Sequence, residues 1–452
     1  MKRSTTSAFA AAACVTLIAL LLLSGAAAAR APAGLSGTSR TLLPGFAGIS
    51  IVKNVSVGKD PTGVTYDPAN HELYVANTGA HTVSVISDTK NKVVATIAVG
   101  TEPTQVLYDP TSQQVYVVNA GSENVSIIGT KNTVVASVPF HGYSEAGAVY
   151  DPANGDVYLA SEGFVPPSTV EYNLSRIAHG NHTLTAIRIG TGPNYPTYDN
   201  ATTEMAVSNG GANSVSFVNS TTNSVTTVTL KTGKTPLFMT YDPKTRDLAV
   251  ADVGTGTAAA HGNLTIFSPA HAVVTTVKVG PFPNTVAIDP LNGAMVVTST
   301  GLVNPKTGKF PNGTVTVVSS TNKVSATLTV GRSAYAAAWS PRTQDFYIAC
   351  EGSNLTFVLN GSTFVLIGKP LATPQYAGDA VYDPGRGEIA VIGFSNLTGT
   401  PAKTIVTLIS AANTVAGSLT LPTGPVGGGA YDPNNQDAYL SNGGAGSVSV
   451  IH

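Results

Sequence analysis

The side chains most able to do chemistry in this chain are eight histidines, a recurring aspartate and two cysteines. The histidines are scattered, at His71, His81, His141, His179, His182, His261, His271 and His452. None combines the spacing to a second histidine with the carboxylate partner expected at a zinc site. His179 and His182 are close in sequence but fall in a predicted turn, which favours ordinary polar surface residues. The histidines therefore predict no metal centre.

A carboxylate recurs at intervals and precedes proline. It stands at Asp67, Asp109, Asp151, Asp242, Asp289, Asp383 and Asp432. One interpretation is a ring of functional carboxylates. Asp-Pro is also a turn signal in which the carboxylate accepts hydrogen bonds from the turn backbone. We therefore predict that these aspartates cap turns.

The cysteines give little sign of catalysis. Cys14 lies in an apolar N-terminal run, so Cys350 is alone in the rest of the chain and no intrachain disulfide is expected. A nucleophile needs a nearby base, and Glu351 is the only adjacent ionisable group, so we predict an inert, half-buried thiol. The sequence contains no Gly-x-Ser-x-Gly elbow, Walker loop or calcium loop. We predict no catalytic residue, no metal and no cofactor.

An internal repeat positions these residues. A Tyr-Asp-Pro triplet at Tyr66 is followed eight residues later by Tyr74, which opens the stretch Tyr-Val-Ala-Asn. The units begin at Tyr66, Tyr108, Tyr150, Tyr198, Tyr241, Ile288, Trp339, Tyr382 and Tyr431, spaced 42 to 51 residues apart. A fixed repeat of this length indicates a solenoid, propeller or array.

Each unit has the pattern of four short strands joined by Gly, Pro, Asn and Asp turns. Four antiparallel strands in about 45 residues form a propeller blade. The last unit stops at its third strand, and residues 51–58 match the pattern of a fourth strand. We predict an all-β fold: a single closed β-propeller, best counted as nine four-stranded blades, whose N-terminal strand completes the last blade.

The stretches Tyr74 to Asn77 and Tyr116 to Asn119, each with an upstream Tyr-Asp-Pro, resemble the repeats of YVTN-type β-propeller proteins. That family is common among archaeal surface-layer and other exported proteins. The resemblance covers residues 49–452 and implies a propeller, but no particular reaction. Family members typically have seven blades, and this sequence departs from them with nine repeats.

The first 48 residues differ from the repeats. Lys2 and Arg3 precede an apolar run from Ala8 to Leu23 and small residues ending near Ala29, the pattern of a secretory signal. We predict a signal peptide over residues 1–29, a flexible leader over 30–48 and the propeller over 49–452. An uncleaved membrane anchor is the alternative, although the apolar run is short for a span.

Charge and glycosylation sequons bear on location and partners. Only 11% of residues are charged and the formal net charge is -1, which argues against a nucleic-acid partner. Eleven Asn-x-Ser/Thr sequons are candidate glycosylation sites, at Asn54, Asn124, Asn173, Asn181, Asn200, Asn219, Asn263, Asn312, Asn354, Asn360 and Asn396. We expect a secreted or cell-surface protein. The sequence defines no oligomeric state.

Length variation is concentrated between the second and third strands. These loops are long at residues 161–169, 252–262, 299–313 and 393–403. In a propeller they share one face with the connections between blades, and insertions on one face of a repeat array indicate a binding face. Drift in tolerant surface loops is the alternative. The candidate binding residues are Glu162, Phe164, Asp252, His261, Asn304, Lys306, Lys309, Phe310, Phe394 and Lys403.

Three functions remain open on the sequence alone. We favour an exported binding or scaffold module that contacts a protein or glycan partner of the cell envelope through this face, for example by stacking phenylalanine on a sugar. An extracellular enzyme of the lactonase, lyase or quinoprotein kind is the second, and a structural surface-layer component is the third. The fold alone does not distinguish between these three functions.

Overall fold

The repeats form strands because each alternates β-branched or aromatic residues with polar ones and ends in a turn signal. The structure is a computed structural model. It describes residues 49–140, 147–165, 169–199, 202–232, 235–254, 261–302, 307, 310–383, 385–395, 402–424 and 426–452. For residues 162–165, 169–172 and 195 it describes the backbone alone.

The first strand, β1, spans Ile51–Ser56, and three four-stranded sheets follow it. Blade 1 contains β2 (Pro61–Asp67), β3 (Glu72–Asn77), β4 (Thr82–Ser87) and β5 (Lys92–Ala98). Blade 2 contains β6 (Pro103–Asp109), β7 (Gln114–Asn119), β8 (Asn124–Gly129) and β9 (Thr133–Pro139). Blade 3 contains β10 (Ala148–Tyr150), β11 (Val157–Val165), β12 (Thr169–Ile177) and β13 (Leu184–Arg188).

Blades 4 to 6 repeat the arrangement. Blade 4 contains β14 (Pro193–Asp199), β15 (Glu204–Asn209), β16 (Ser214–Asn219) and β17 (Val225–Thr229). Blade 5 contains β18 (Pro236–Tyr241), β19 (Leu248–Asp252), β20 (Gly262–Phe267) and β21 (Val273–Val279). Blade 6 contains β22 (Pro283–Ile288), β23 (Met295–Ser299), β24 (Asn312–Val318) and β25 (Val324–Arg332).

The last three blades complete the ring. Blade 7 contains β26 (Ala334–Ser340), β27 (Asp345–Cys350), β28 (Leu355–Asn360) and β29 (Leu366–Ala372). Blade 8 contains β30 (Asp379–Asp383), β31 (Glu388–Phe394), β32 (Lys403–Ile409) and β33 (Val415–Thr423). Blade 9 contains β34 (Val426–Asp432), β35 (Asp437–Asn442) and β36 (Ser447–Ile451), with a short 3-10 turn at Gly443–Ala445.

Closure follows the predicted scheme. Eight of the nine sheets are antiparallel meanders in chain order, and blade 9 runs β34-β35-β36-β1. The register places Ile51 opposite Ile451 and Ser56 opposite Ser447. The prediction of nine four-stranded blades closed by the N-terminal strand is confirmed. In the described part of the chain, no helix has the length and apolar character needed to cross a membrane.

The core lies between blades. Every pair of neighbouring sheets shares one cluster of buried apolar side chains, and this continues around the whole ring. Between blades 9 and 1 the cluster includes Val64, Val75 and Val448. Between blades 8 and 9 it includes Ile392 and Val426. Second and third strands such as β3 and β4 are therefore buried on both faces, whereas fourth strands such as β5 and β9 remain partly exposed. The first strands surround a central channel.

The turns between first and second strands and between third and fourth strands form one face, here called the lower face. The backbone N–H of Ala69 donates to Asp67 Oδ1 at 2.9 Å, and that of Thr111 donates to Asp109 Oδ1 at 2.8 Å. The prediction that these aspartates cap turns is confirmed. Burial and the neighbouring Asp67 carboxylate raise the pKa of Tyr108. The Tyr-Asp pair therefore also links each of these blades to the next.

Candidate functional site

The opposite, upper face carries the loops between second and third strands. In blade 1 this loop packs on the connection that enters the blade: the Thr78 N–H donates to the Asp60 carbonyl at 3.0 Å. The same contact recurs in blade 6, where the Thr300 N–H donates to the Phe282 carbonyl at 3.0 Å. The longer loops of blades 5, 6 and 8 begin at equivalent positions. The described ends of these connections therefore lie on the upper face.

Blade 3 differs from expectation. Residues 161–169 were predicted to be a loop, but β11 continues to Val165 and β12 starts at Thr169. Ser161 pairs with Asn173 where blade 1 pairs Asn77 with Thr82, and four further residue pairs follow up to Val165 with Thr169. The extra residues extend the hairpin beyond the blade on the upper face. We call residues 162–165 and 169–172 the blade 3 arm.

The candidate binding residues are in different settings. Asp252 has no exposed surface and Phe394 is 8% exposed, so neither offers a side chain to a partner. His261 and Lys403 are exposed, and Phe310 is half-buried. Glu162 and Phe164 lie on the blade 3 arm. Asn304, Lys306 and Lys309 lie outside the described residues.

A buried polar ladder ends the second strand of blades 1, 2, 4 and 9. Asn77 Nδ2 donates to Ser84 Oγ at 3.0 Å, and its Oδ1 accepts from the Gly58 N–H at 3.1 Å. Asn119, Asn209 and Asn442 make the same bond to the hydroxyls of Ser126, Ser216 and Ser449 at 2.9 to 3.0 Å. The partners of these side-chain amides include hydroxyls of the third strand.

Blades 5 and 6 depart from this ladder. Asp252 replaces the asparagine in blade 5, where Thr265 Oγ1 donates to its Oδ2 at 2.9 Å and its Oδ1 has no partner. Burial raises the pKa of Asp252 to about 7. In blade 6 the shorter Ser299 leaves its own hydroxyl and those of Thr314 and Thr316 without hydrogen-bond partners.

Blade 7 replaces the ladder with apolar groups. Cys350 is fully buried, in a cluster where Phe357 packs in place of the usual hydroxyl residue. Burial raises the pKa of the Cys350 thiol to about 12. Burial also raises the pKa of Glu351, whose carboxylate accepts from Ser333 Oγ at 3.1 Å. The thiol is more deeply buried than predicted, and this environment favours the unreactive protonated form.

Three histidines contribute to contacts between blades on the lower face, which the sequence analysis missed. His179 Nδ1 lies 3.1 Å from Asp109 Oδ2, and His182 Nε2 lies 2.9 Å from Gln114 Oε1. His271 Nε2 lies 2.9 Å from Glu204 Oε2, and its ring stacks on Phe217. The described residues contain no group of three or more His, Cys, Asp or Glu side chains placed to hold a metal ion.

One sequence signal could have identified two of these histidines. His182 and His271 occupy the left-handed position of the turn between third and fourth strands, with φ of 56° and 62°. Asn132 has the same position in blade 2, with φ of 57°, and bonds to Glu72 of blade 1. Aligning the turns of the repeats would therefore have grouped the histidines with a residue that links blades.

The sequons are unevenly exposed. Asn54, Asn181 and Asn312 are exposed, whereas Asn124, Asn173, Asn219, Asn263, Asn354 and Asn360 are half-buried. Several side chains are already engaged: Asn54 Oδ1 accepts from Ser449 Oγ at 2.7 Å, and Asn360 Nδ2 donates to Asp345 at 3.2 Å. Asn200 and Asn396 lie outside the described residues.

Comparison with known proteins supports the fold. No family model matches the chain, and no curated protein matches it. The solved Dos1 propeller is similar with a TM-score of 0.55 and 12% identity, over 89% of this chain and 95% of that chain. Sqt1 of Saccharomyces cerevisiae gives a TM-score of 0.52 and 10% identity, over 83% and 99%.

A solved enzyme shows the same likeness. The dihydro-heme d1 dehydrogenase NirN in complex with DHE gives a TM-score of 0.50 and 11% identity, over 70% of this chain and 67% of that chain. Identities this low indicate shared architecture and carry no activity with them. This chain is therefore a nine-bladed β-propeller, a fold that commonly mediates protein binding.

Proposed function

We propose that this propeller is an exported cell-surface or envelope protein of the YVTN-repeat kind that binds a protein or glycan partner through its upper face. The observation that carries the proposal is the one-sided elaboration of the ring. Blades 5, 6 and 8 lengthen the connection between second and third strands on that face, and blade 3 lengthens these two strands themselves. Insertions on one face of a repeat array are typical of a binding surface.

The extra residues are not needed to build a blade. Blade 1 joins Asn77 to Thr82 through only residues 78–81, and blade 2 joins Asn119 to Asn124 through residues 120–123. Blades with short and with long connections form the same four-stranded sheet. Binding residues are often found on loops that are longer than the fold requires and that a rigid scaffold holds in place.

The lower face supports this division. Its turns are tight, and several of their polar side chains bond to neighbouring blades, as with Asp109 and His179 or Glu204 and His271. Groups already engaged in holding the ring are less available to a partner. We therefore assign partner binding to the upper face and the contacts that hold neighbouring blades together to the lower face.

Export is supported by the sequence of the N-terminus. Lys2 and Arg3 precede the apolar run from Ala8 to Leu23, a pattern read as a secretory signal. N-terminal sequencing of the protein recovered from its producing cells tests this. A start near residue 30 in the envelope or medium is expected, a retained segment indicates the anchor alternative, and an intact cytosolic chain refutes export.

Partner binding is tested by screening the mature chain against glycans and envelope proteins. Two variants replace residues 253–261 or 300–311 with the short connection 78–81 of blade 1. We expect both to lose binding while keeping the wild-type thermal transition. The matched control is Leu291→Ser, which changes a side chain 55% exposed in a lower-face turn and should bind normally. Unchanged binding in both trimmed variants refutes the upper-face assignment.

A further inference from the structure

One position in the turn between third and fourth strands faces the preceding blade. This turn has the same length in blades 1, 3, 4 and 7. Its second residue in these blades is Asp88, His179, Ser220 and Gly361, respectively. His179 Nδ1 lies 3.1 Å from Asp109 Oδ2 of blade 2. A Cβ atom on Gly361 would lie 3.6 Å from Asp289 Oδ2 of blade 6. The position therefore lies beside the turn aspartate of the blade before it.

Blade 1 has a second carboxylate at this position. Blade 9 precedes blade 1 in the closed ring, so Asp88 lies beside Asp432, the turn aspartate of blade 9. The two carboxyl groups are within hydrogen-bond reach of each other and of the Tyr66 hydroxyl. Asp432 has no exposed surface, and Asp88 is 4% exposed. Two buried carboxyl groups therefore meet at the seam where the end of the chain joins blade 1.

Each carboxyl group has one oxygen without a partner. Asp88 Oδ2 accepts from the Tyr66 hydroxyl at 2.9 Å and lies 3.1 Å from His71 Nδ1. Asp432 Oδ1 accepts from the Asn434 N–H at 2.9 Å. Asp88 Oδ1 and Asp432 Oδ2 have no hydrogen-bond partner and almost no accessible surface. Because an ionised carboxylate can only accept, two anions here would leave both of these buried oxygens unsatisfied, which is costly.

A proton is the ligand that fits this space. A metal ion or an ammonium group needs room, which two oxygens with almost no accessible surface do not provide. A protonated carboxyl needs none, and two carboxyl groups this close share one proton. The Tyr66 hydroxyl and the His71 ring favour the ionised form of Asp88. Burial, together with the charge of Asp88, raises the pKa of Asp432. The proton therefore belongs on Asp432.

We propose that Asp88 and Asp432 form a proton-binding site at the seam between blades 9 and 1, in which Asp432 Oδ2 donates the bound proton to Asp88 Oδ1 and thereby makes closure of the ring sensitive to pH. In the unfolded chain aspartate loses its proton near about pH 4. The folded site keeps the proton to higher pH. Its contribution to stability is therefore fully present below about pH 4 and is lost as pH rises through the raised pKa of Asp432.

Other titratable groups lie near the pair. Tyr66 and Tyr439 are the neighbouring tyrosines, and burial raises the pKa of both. His71 is beside Asp88, and Asp437 pairs with His452 at 2.7 Å. Of these, His71 is the group that touches the pair and can gain a proton between pH 5 and 8. A test must therefore separate the carboxyl pair from His71. Neither export nor upper-face binding is needed for this site.

The first measurement is the titration of Asp432 in the mature chain with ¹³C-labelled aspartate carboxyl groups. We expect its midpoint to lie well above the ordinary value of about 3.9, as an apparent value that belongs to the pair. Asp88→Asn keeps the shape of the side chain, and Asp88→Ser copies Ser220 of blade 4. Both should lower the midpoint, because no proton is then shared. An ordinary midpoint for Asp432 in the wild-type protein overturns the proposal even if neither variant folds.

The second measurement is hydrogen exchange of the β1 amides that bond to β36, with the amides of β16 in blade 4 as the reference. The protection of β1 relative to β16 should be greater at pH 5 than at pH 8. The expected factor is about ten for each pH unit between the ordinary pKa and the raised pKa of Asp432. This difference should disappear in Asp88→Asn and Asp88→Ser.

The matched control is His71→Gln, which copies Gln113 at the same left-handed turn position of blade 2 and removes the imidazole. It should keep the pH dependence of β1 protection. Loss of the dependence in His71→Gln would assign it to the histidine and overturn the proposal. A relative protection of β1 that is equal at pH 5 and pH 8 in the wild-type protein would also overturn it.

Discussion

Replacing Asp252 with asparagine should stabilise the protein at alkaline pH but not at acid pH. Asp252 occupies the place that Asn77 has in blade 1, where the side-chain amide donates to a buried hydroxyl. It is fully buried, with one oxygen bonded to Thr265 and the other without a partner. Burial raises its pKa from 3.8 to about 7. The folded protein therefore resists ionisation of this carboxyl.

The sign of the pH dependence follows from proton binding. Below about pH 4 both the folded and unfolded states hold the proton, so the contribution of Asp252 to stability is fully present. As pH rises to about 7 the unfolded state releases the proton first, and the free energy of unfolding falls. A shift of about 3 pKa units corresponds to about 4 kcal/mol as an upper value. Asparagine carries no such penalty.

The assay is thermal unfolding of wild type and Asp252→Asn at pH 4 and pH 8.5. About 400 folded residues give an unfolding entropy near 0.8 kcal/mol/K, so each kcal/mol shifts Tm by about 1 °C. We expect Asp252→Asn to raise Tm by about 3–5 °C at pH 8.5 and to change it little at pH 4. The reverse substitution Asn77→Asp should lower Tm at pH 8.5. An equal effect of Asp252→Asn at both pH values, or a lower Tm at pH 8.5, contradicts the reasoning.

Three further predictions concern single side chains. Ser299→Asn should raise Tm by about 1 °C because the amide supplies a partner to unsatisfied buried hydroxyls, worth about 1 kcal/mol; a lower Tm means that the site has no room. Cys350 should react with a thiol reagent only on unfolding, since it is fully buried and its pKa is about 12; rapid native labelling would show an accessible thiolate. Tyr347→Phe removes the 2.6 Å bond to Asn413 of blade 8 and should lower Tm by about 1 °C in calorimetry; an unchanged Tm would show that the bond adds no net stability.

The fold was predictable because its determinants are local and repeated. Each unit carries its own turn aspartate, and Asp67 caps its turn through residues two and three positions away. The missing fourth strand of the last unit pointed to β1, which does pair with β36. Such short-range rules can be read from the chain without knowing which blades are neighbours.

The contacts between blades were harder to predict from the sequence. Glu204 and His271 are far apart in the chain, and only the closed ring brings them to 2.9 Å. The burial of Asp252 could have been foreseen, because it stands where Asn77 stands, at the end of a strand. The blade 3 arm was assigned as a loop since its length resembled that of other insertions, whereas its backbone continues the strand pairing.

The most direct test of the central claim is the affinity of a variant in which all four long upper-face elements are shortened. It replaces residues 162–172, 253–261, 300–311 and 395–402 with the connection 78–81 of blade 1, and its binding to isolated cell envelope is compared with that of the mature wild-type chain. We predict at least a tenfold loss of affinity with an unchanged circular dichroism spectrum. Wild-type affinity in this variant would contradict the assignment of recognition to the upper face.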